Sequence, residues 1–183
     1  MKKNILFKSA ALLMLSGIFT VISCTKSEQA TTFSIGQHYG GGVIFYIDGT
    51  AQHGLIAAPG DQSTVLWGPG TVLTNATGTA VGTGQANTTA IITAQGVGSY
   101  AASLCDQLVL NGYSDWFLPS KDELSYLYNQ KSLVGGFGLG AKIIYWSSTE
   151  SATNAAWIQN FSDGTQASYG KFTAYSTRAI RAF

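Results

Sequence analysis

The strongest constraint on the fold is the order in which two hydrophobic periods follow each other along the chain. Behind Gly40-Gly41-Gly42, the β-branched and aromatic run Val43-Ile44-Phe45-Tyr46-Ile47 closes on Asp48-Gly49, which predicts a strand ended by a turn. Gly54 to Ala58 reads as a second strand, and the two form a hairpin with Thr50 to His53 in its loop. Glycine, threonine and proline then dominate from Gly60 to Gln85, an ordered but irregular stretch with Trp67 as its large aromatic residue. Helical spacing takes over, first from about Asn87 and then from a cap at Ser99 to Leu110, where Ala101, Leu104, Cys105 and Leu108 recur on one face before Gly112. Ser120-Lys121-Asp122-Glu123 has the form of a capping box and opens a helix carrying Leu124, Leu127 and Tyr128. Strand signals return at Ile143–Ser148, Ala156–Phe161, Gln166–Phe172 and Ser176–Phe183. Strands, helices and a second block of strands predict an α+β domain with two or three helices beside a mainly antiparallel sheet. Its terminal strand is expected to pair with the early strand at Val43–Ile47.

The amino terminus carries a different kind of signal. Lys2, Lys3 and Lys8 flank an apolar run from Ala10 to Ile22 that is too short to favour a membrane-spanning helix and reads as an export signal. Val21-Ile22-Ser23-Cys24 resembles a lipobox, in which the Cys24 thiol receives diacylglycerol. Acyl chains, palmitate among them, bury enough methylene to hold a protein stably on a bilayer. The expected organisation is a signal peptide over 1–23, a polar lipidated tether over 24–32 and one domain over 33–183. Thr25 stands where an aspartate would favour inner-membrane retention, so the expected location is the bacterial cell envelope, lipid-anchored at the outer membrane.

Removal of the three leader lysines takes the formal net charge from +1 to about −2, and only 10% of residues are charged, against roughly 25% in ordinary soluble domains. No basic patch suggests nucleic acid as a partner. With Cys24 acylated, only Cys105 remains, so no internal disulfide is expected.

Five segments resemble a known family: Gly41-Gly42-Val43-Ile44-Phe45; His53-Gly54-Leu55-Ile56-Ala57-Ala58; Asp115-Trp116-Phe117-Leu118-Pro119-Ser120 with Glu123-Leu124; Tyr145-Trp146-Ser147-Ser148-Thr149-Glu150; and Arg178-Ala179-Ile180-Arg181. Their order and spacing are similar to the Lcl C-terminal domain family, named for part of a collagen-like adhesin. The resemblance implies a C-type-lectin-like fold, similar also to non-catalytic relatives of formylglycine-generating enzyme. It implies sulfated-glycan binding for the adhesin, but that needs clustered cations, and Lys121, Lys131, Lys142 and Lys171 are scattered in this chain.

The residues offer little catalytic chemistry. The calcium-dependent lectin triplets are missing, and the hydroxyls after Trp146 are poor ligands for a hard cation, so no metal or other cofactor is expected. Cys105 is a lone thiol on an apolar helix face, unsuited to a copper-binding oxidase site. His38 and His53 lack a nucleophile elbow, and Gly136-Phe137-Gly138-Leu139-Gly140-Ala141 follows a helix instead of opening one, the reverse of what phosphate binding needs. No catalytic residue is assigned. Arg178 and Arg181, three apart in a strand, should face opposite sides, and an inward arginine needs a carboxylate: Glu123, Asp115 or Glu150. Trp67, Tyr113, Trp157 and Tyr169 are the candidates for presenting flat faces to a ligand, whereas Trp116 and Trp146 are expected in the core. The expected function is non-catalytic recognition or adhesion at the cell surface through a neutral glycan or an envelope or host protein. A structural component of the envelope without a small ligand is the alternative, and a hydrolase comes third.

Overall fold

The computed structural model describes residues 32–138 and 143–183. The leader, Cys24 and most of the tether, together with Lys142 and the end of the glycine-rich stretch, lie outside the described residues. A short strand β1 (His38–Tyr39) precedes β2 (Gly42–Ile47) and β3 (Gly54–Ala57), and β4 (Ser63–Val65) begins the irregular region. Helices α1 (Gly84–Gln95), α2 (Ala101–Asp106), α3 (Lys121–Asn129) and α4 (Lys131–Val134) follow. The chain finishes with β5 (Ile144–Ala152), β6 (Ala155–Asn160), β7 (Gln166–Gly170), β8 (Tyr175–Thr177) and β9 (Ile180–Ala182). No helix among the described residues is long and apolar enough to cross a membrane.

The architecture is α+β, as expected, with the strands divided between two sheets. One has the order β1-β2-β3-β9 and the other β4-β8-β5-β6-β7; all pairings are antiparallel except β5 with β8. The unbroken apolar run of β2 is explained by burial on both faces. Val43 and Phe45 enter one apolar cluster with Leu124 and Leu127 of α3, while Ile44 enters another with Ile91 of α1 and Ala101, Ala102 and Cys105 of α2. The period of two thus divides one strand between two cores. Gly42 has to be glycine because a Cβ there would overlap the Ala57 carbonyl across the hairpin.

Three local expectations change. The run Ser176–Phe183 is two strands: the chain leaves the larger sheet at Thr177, and Ile180–Ala182 joins the smaller one. At this crossing the Ala58 amide donates to the Ala179 carbonyl, and the Ala179 amide donates to the Gln62 side chain. The terminal strand is paired in the sheet that holds the early strands, but its neighbour is β3, with Ile56 opposite Arg181, rather than Val43–Ile47. Helix α2 stops at Asp106, well short of Leu110, because Leu110 and Tyr113 exchange backbone hydrogen bonds around a turn with Asn111 and Gly112 at positive φ. The capping box of α3 forms as its sequence predicts: Ser120 Oγ accepts from the Glu123 amide, and the Glu123 carboxylate accepts from the Ser120 amide at 2.7 Å.

Candidate functional site

Most of the charged residues singled out above hold the frame instead of lining a site. Both arginines are buried, Arg178 completely. Arg181 makes a two-pronged pair with Asp115, 2.7 Å from Nε to Oδ1 and 2.8 Å from Nη2 to Oδ2, and its guanidinium lies 3.9 Å from the centre of the Tyr113 ring. Hydrogen bonding from Arg181 holds the Asp115 carboxyl below its usual pKa. Arg178 finds Asp61, a partner outside the three expected carboxylates, with Oδ1 2.7 Å from both Nε and Nη2. It also donates to the carbonyls of Ala58, Gly135 and Gly136. The glycine-rich stretch therefore presents carbonyl oxygens to a cation, the opposite polarity to a phosphate cradle. Gly136 is at φ +67, and a Cβ there would overlap the Pro59 carbonyl.

Glu150 pairs with Lys171 instead of an arginine. The ammonium is fully buried, 2.5 Å from Glu150 Oε1, and it also donates to the carbonyls of Val72 and Thr153 at 3.1 and 2.8 Å. Lys171, read above as one of four scattered lysines, is an internal strut. Glu123 is also buried, but it caps backbone and pairs with no arginine: it accepts from the amides of Gly82 and Ser120, both at 2.7 Å, while burial pushes its carboxyl above the ordinary pKa. Asp61 was legible in one respect, being the only Asp, Glu, Lys or Arg between Asp48 and Asp106. Isolated charge in an apolar, glycine-rich stretch is the mark of a specific partner.

The four aromatic candidates do not converge. Trp67 is corrected to a core residue: it is fully buried, donates through Nε1 to the Ser147 carbonyl at 2.8 Å and has the Lys171 ammonium 4.5 Å from a ring centre. Tyr113 is covered on one face by Arg181. Trp157 is half-buried with the Lys121 ammonium 4.0 Å above it. Tyr169 keeps 45% of its surface exposed.

Tyr169 belongs to a cleft that the sequence could not reveal, because Tyr175 reaches it from a strand three places away in the sheet order. The two rings meet edge to face at 5.8 Å, and Tyr175 in turn meets the buried Trp146 at 5.0 Å. Trp146 is fixed by donation from Nε1 to the Val65 carbonyl at 3.1 Å. These contacts form an aromatic ladder from core to surface. The cleft has a volume of about 510 Å³ and adds Thr64, Ile144, Ala174 and Ser176 to the two tyrosines. Its walls offer hydroxyls and ring faces without a carboxylate, ammonium or guanidinium, and burial raises the pKa of the Tyr175 phenol. No three His, Cys, Asp or Glu side chains gather into a metal-binding group among the described residues. Cys105 is buried, and burial drives its thiol pKa upward, disfavouring the thiolate a nucleophile needs.

Two sheets braced by ion pairs within the domain, with an uncharged cleft at the surface, define an α+β scaffold. Residues 61–181 match the Lcl C-terminal domain model, and the chain belongs to that family. No curated protein matches the chain.

Proposed function

We propose that this protein is a non-catalytic recognition module of the bacterial envelope, tethered to the outer membrane by lipid on Cys24, that binds an uncharged glycan in the Tyr169–Tyr175 cleft. The carrying observation is the cleft itself: a half-exposed tyrosine set edge to face on a second, which is backed by a buried tryptophan. An aromatic face held this rigidly can stack on the C–H side of a sugar ring with little loss of side-chain freedom, while Thr64 and Ser176 supply hydroxyl partners. Charge supports a neutral ligand over a sulfated one. Lys171, Arg178 and Arg181 are paired with carboxylates of the domain itself, which leaves Lys121 and Lys131 as the remaining lysines and arginines among the described residues, few for a polyanion.

The test is a glycan array probed with the full chain in detergent, followed by titration of the hits. Tyr169→Ala should weaken binding at least about tenfold, the loss typical of a central aromatic anchor. It should barely move the melting temperature, since the side chain is half exposed. Binding indifferent to Tyr169→Ala rejects the cleft. A blank array with an envelope protein co-purifying in stoichiometric amount moves the assignment to a structural component.

A further inference from the structure

Three exposed apolar side chains gather where the tether meets the domain. Tyr39 belongs to β1, and Ile35 sits in the turn just before that strand, which the Gln37 amide closes by donating to the Ser34 carbonyl. Leu133 of α4 lies against the same turn, since a Cβ built on Gly36 would be 3.6 Å from its Cδ1. Tyr39 is held in place by Phe33 and Phe183, whose ring centres are 4.8 and 5.3 Å from its own. Isolated exposed apolar residues are ordinary, but a group of them fixed around one point of the chain marks a contact surface.

We infer that this apolar collar is the face with which the domain rests on the phospholipid bilayer that holds its anchor. The inference rests on the lipid at Cys24 proposed above and adds the orientation of the domain. Eight residues separate Cys24 from Phe33, and fully extended they span about 30 Å. A domain of this size is about 40 Å across. If its far pole touched lipid, Phe33 would stand higher above the bilayer than the chain can reach. Any face laid on the membrane must therefore include the ground around Phe33, and that ground is apolar. A tyrosine suits the interface because its ring enters the acyl boundary while its hydroxyl stays hydrated. Ile35 and Leu133 supply the aliphatic contact that adds to an acyl anchor. Charge agrees: over 33–47 and 130–138 the one Asp, Glu, Lys or Arg is Lys131, so these segments bring no carboxylate towards lipid phosphate. None of the three collar residues lines the tyrosine cleft, which stays free for its ligand.

The test places the full lipidated chain in nanodiscs of phosphatidylcholine and phosphatidylglycerol, with and without nitroxide-labelled lipid, and follows isoleucine, leucine and valine methyl resonances. The methyls of Ile35 and Leu133 should broaden beyond detection when the nitroxide is present. Those of Val97 should stay sharp, although Val97 is 72% exposed against 58% for Leu133, so exposure of an apolar group alone predicts the reverse. Tyr39→Ser combined with Leu133→Ser removes two surface side chains and should restore the Ile35 signal. The inference is overturned if Ile35 and Leu133 broaden no more than Val97, or if the double variant leaves the Ile35 loss unchanged. It is also overturned if the collar methyls respond only when two copies share a disc, which assigns this face to a second copy of the chain. A wild type that takes up no palmitate removes the anchor and this inference together, whereas a palmitate-labelled chain with sharp Ile35 and Leu133 methyls removes this inference alone. Neither result touches the Tyr169→Ala titration.

Discussion

Replacing Lys171 with methionine should be among the most damaging single changes in the domain. The ammonium has no exposed surface and spends all three of its protons, on Glu150, Val72 and Thr153. Methionine keeps much of the length of the side chain and its contact with Trp67 but removes the charge. Glu150 would remain buried, still accepting the amides of Thr74 and Asn75 at 3.0 Å but with no cation beside it. Removing one member of a buried pair costs about 3–5 kcal/mol, most of it the penalty of the charge left behind. For a domain of this size that corresponds to a fall in melting temperature of roughly 6–20 °C. The diagnostic is a double-mutant cycle read by denaturant unfolding. Adding Glu150→Gln removes the orphaned charge, so the double variant should recover at least about 1 kcal/mol over Lys171→Met alone. A single-variant cost below about 1 kcal/mol, or a double variant that merely adds the two losses, would refute the reasoning.

The two arginines should separate on the same assay: Arg178→Met should cost about 3 kcal/mol because it leaves Asp61, 23% exposed, without its cation and three carbonyls without their donor, whereas Arg181→Met should cost about 1 kcal/mol because Asp115 is 48% exposed and water can take it back. Equal costs would contradict this ordering. Asp115 binds its proton more weakly in the folded chain than in the unfolded one, so its contribution is present above the ordinary value of 3.8 and is lost as pH falls through the lowered folded pKa. Acid unfolding followed by circular dichroism should therefore show a shallower low-pH loss in Asp115→Asn than in the wild type. Metabolic labelling with palmitate should mark the wild type and vanish in Cys24→Ala; unlabelled wild type would remove the anchor from the proposal.

Much of the fold could be read directly because its determinants are local. The Val43–Ile47 strand, the Asp48 turn and the Ser120/Glu123 cap each depend on residues within a few positions of one another, so composition and spacing sufficed. The same holds for the burial of Trp116 and Trp146, whereas Arg181 and Asp115 lie 66 residues apart and the sequence offered Asp115 only as one of three carboxylates. Ser176–Phe183 defeated a local reading because its period is continuous, while the break comes from two different sheets claiming its two halves.

What the sequence determined by itself is therefore the α+β order of elements, their caps and turns, and the low charge that argues against a polyanion partner, since these follow from short-range sterics, hydrogen bonding and composition. Which carboxylate meets which cation, the inward turn of Lys171 and Trp67, and the joining of Tyr169 to Tyr175 were decided only by the tertiary structure. For Tyr169 and Tyr175, near neighbours in sequence, the physical reason is the sheet order, which sets their strands three places apart; for the ion pairs it is distance along the chain. Asp61 and Arg178 lie 117 residues apart, and a pairing over that span is set by how the sheets pack around a shared core, for which no local pattern exists.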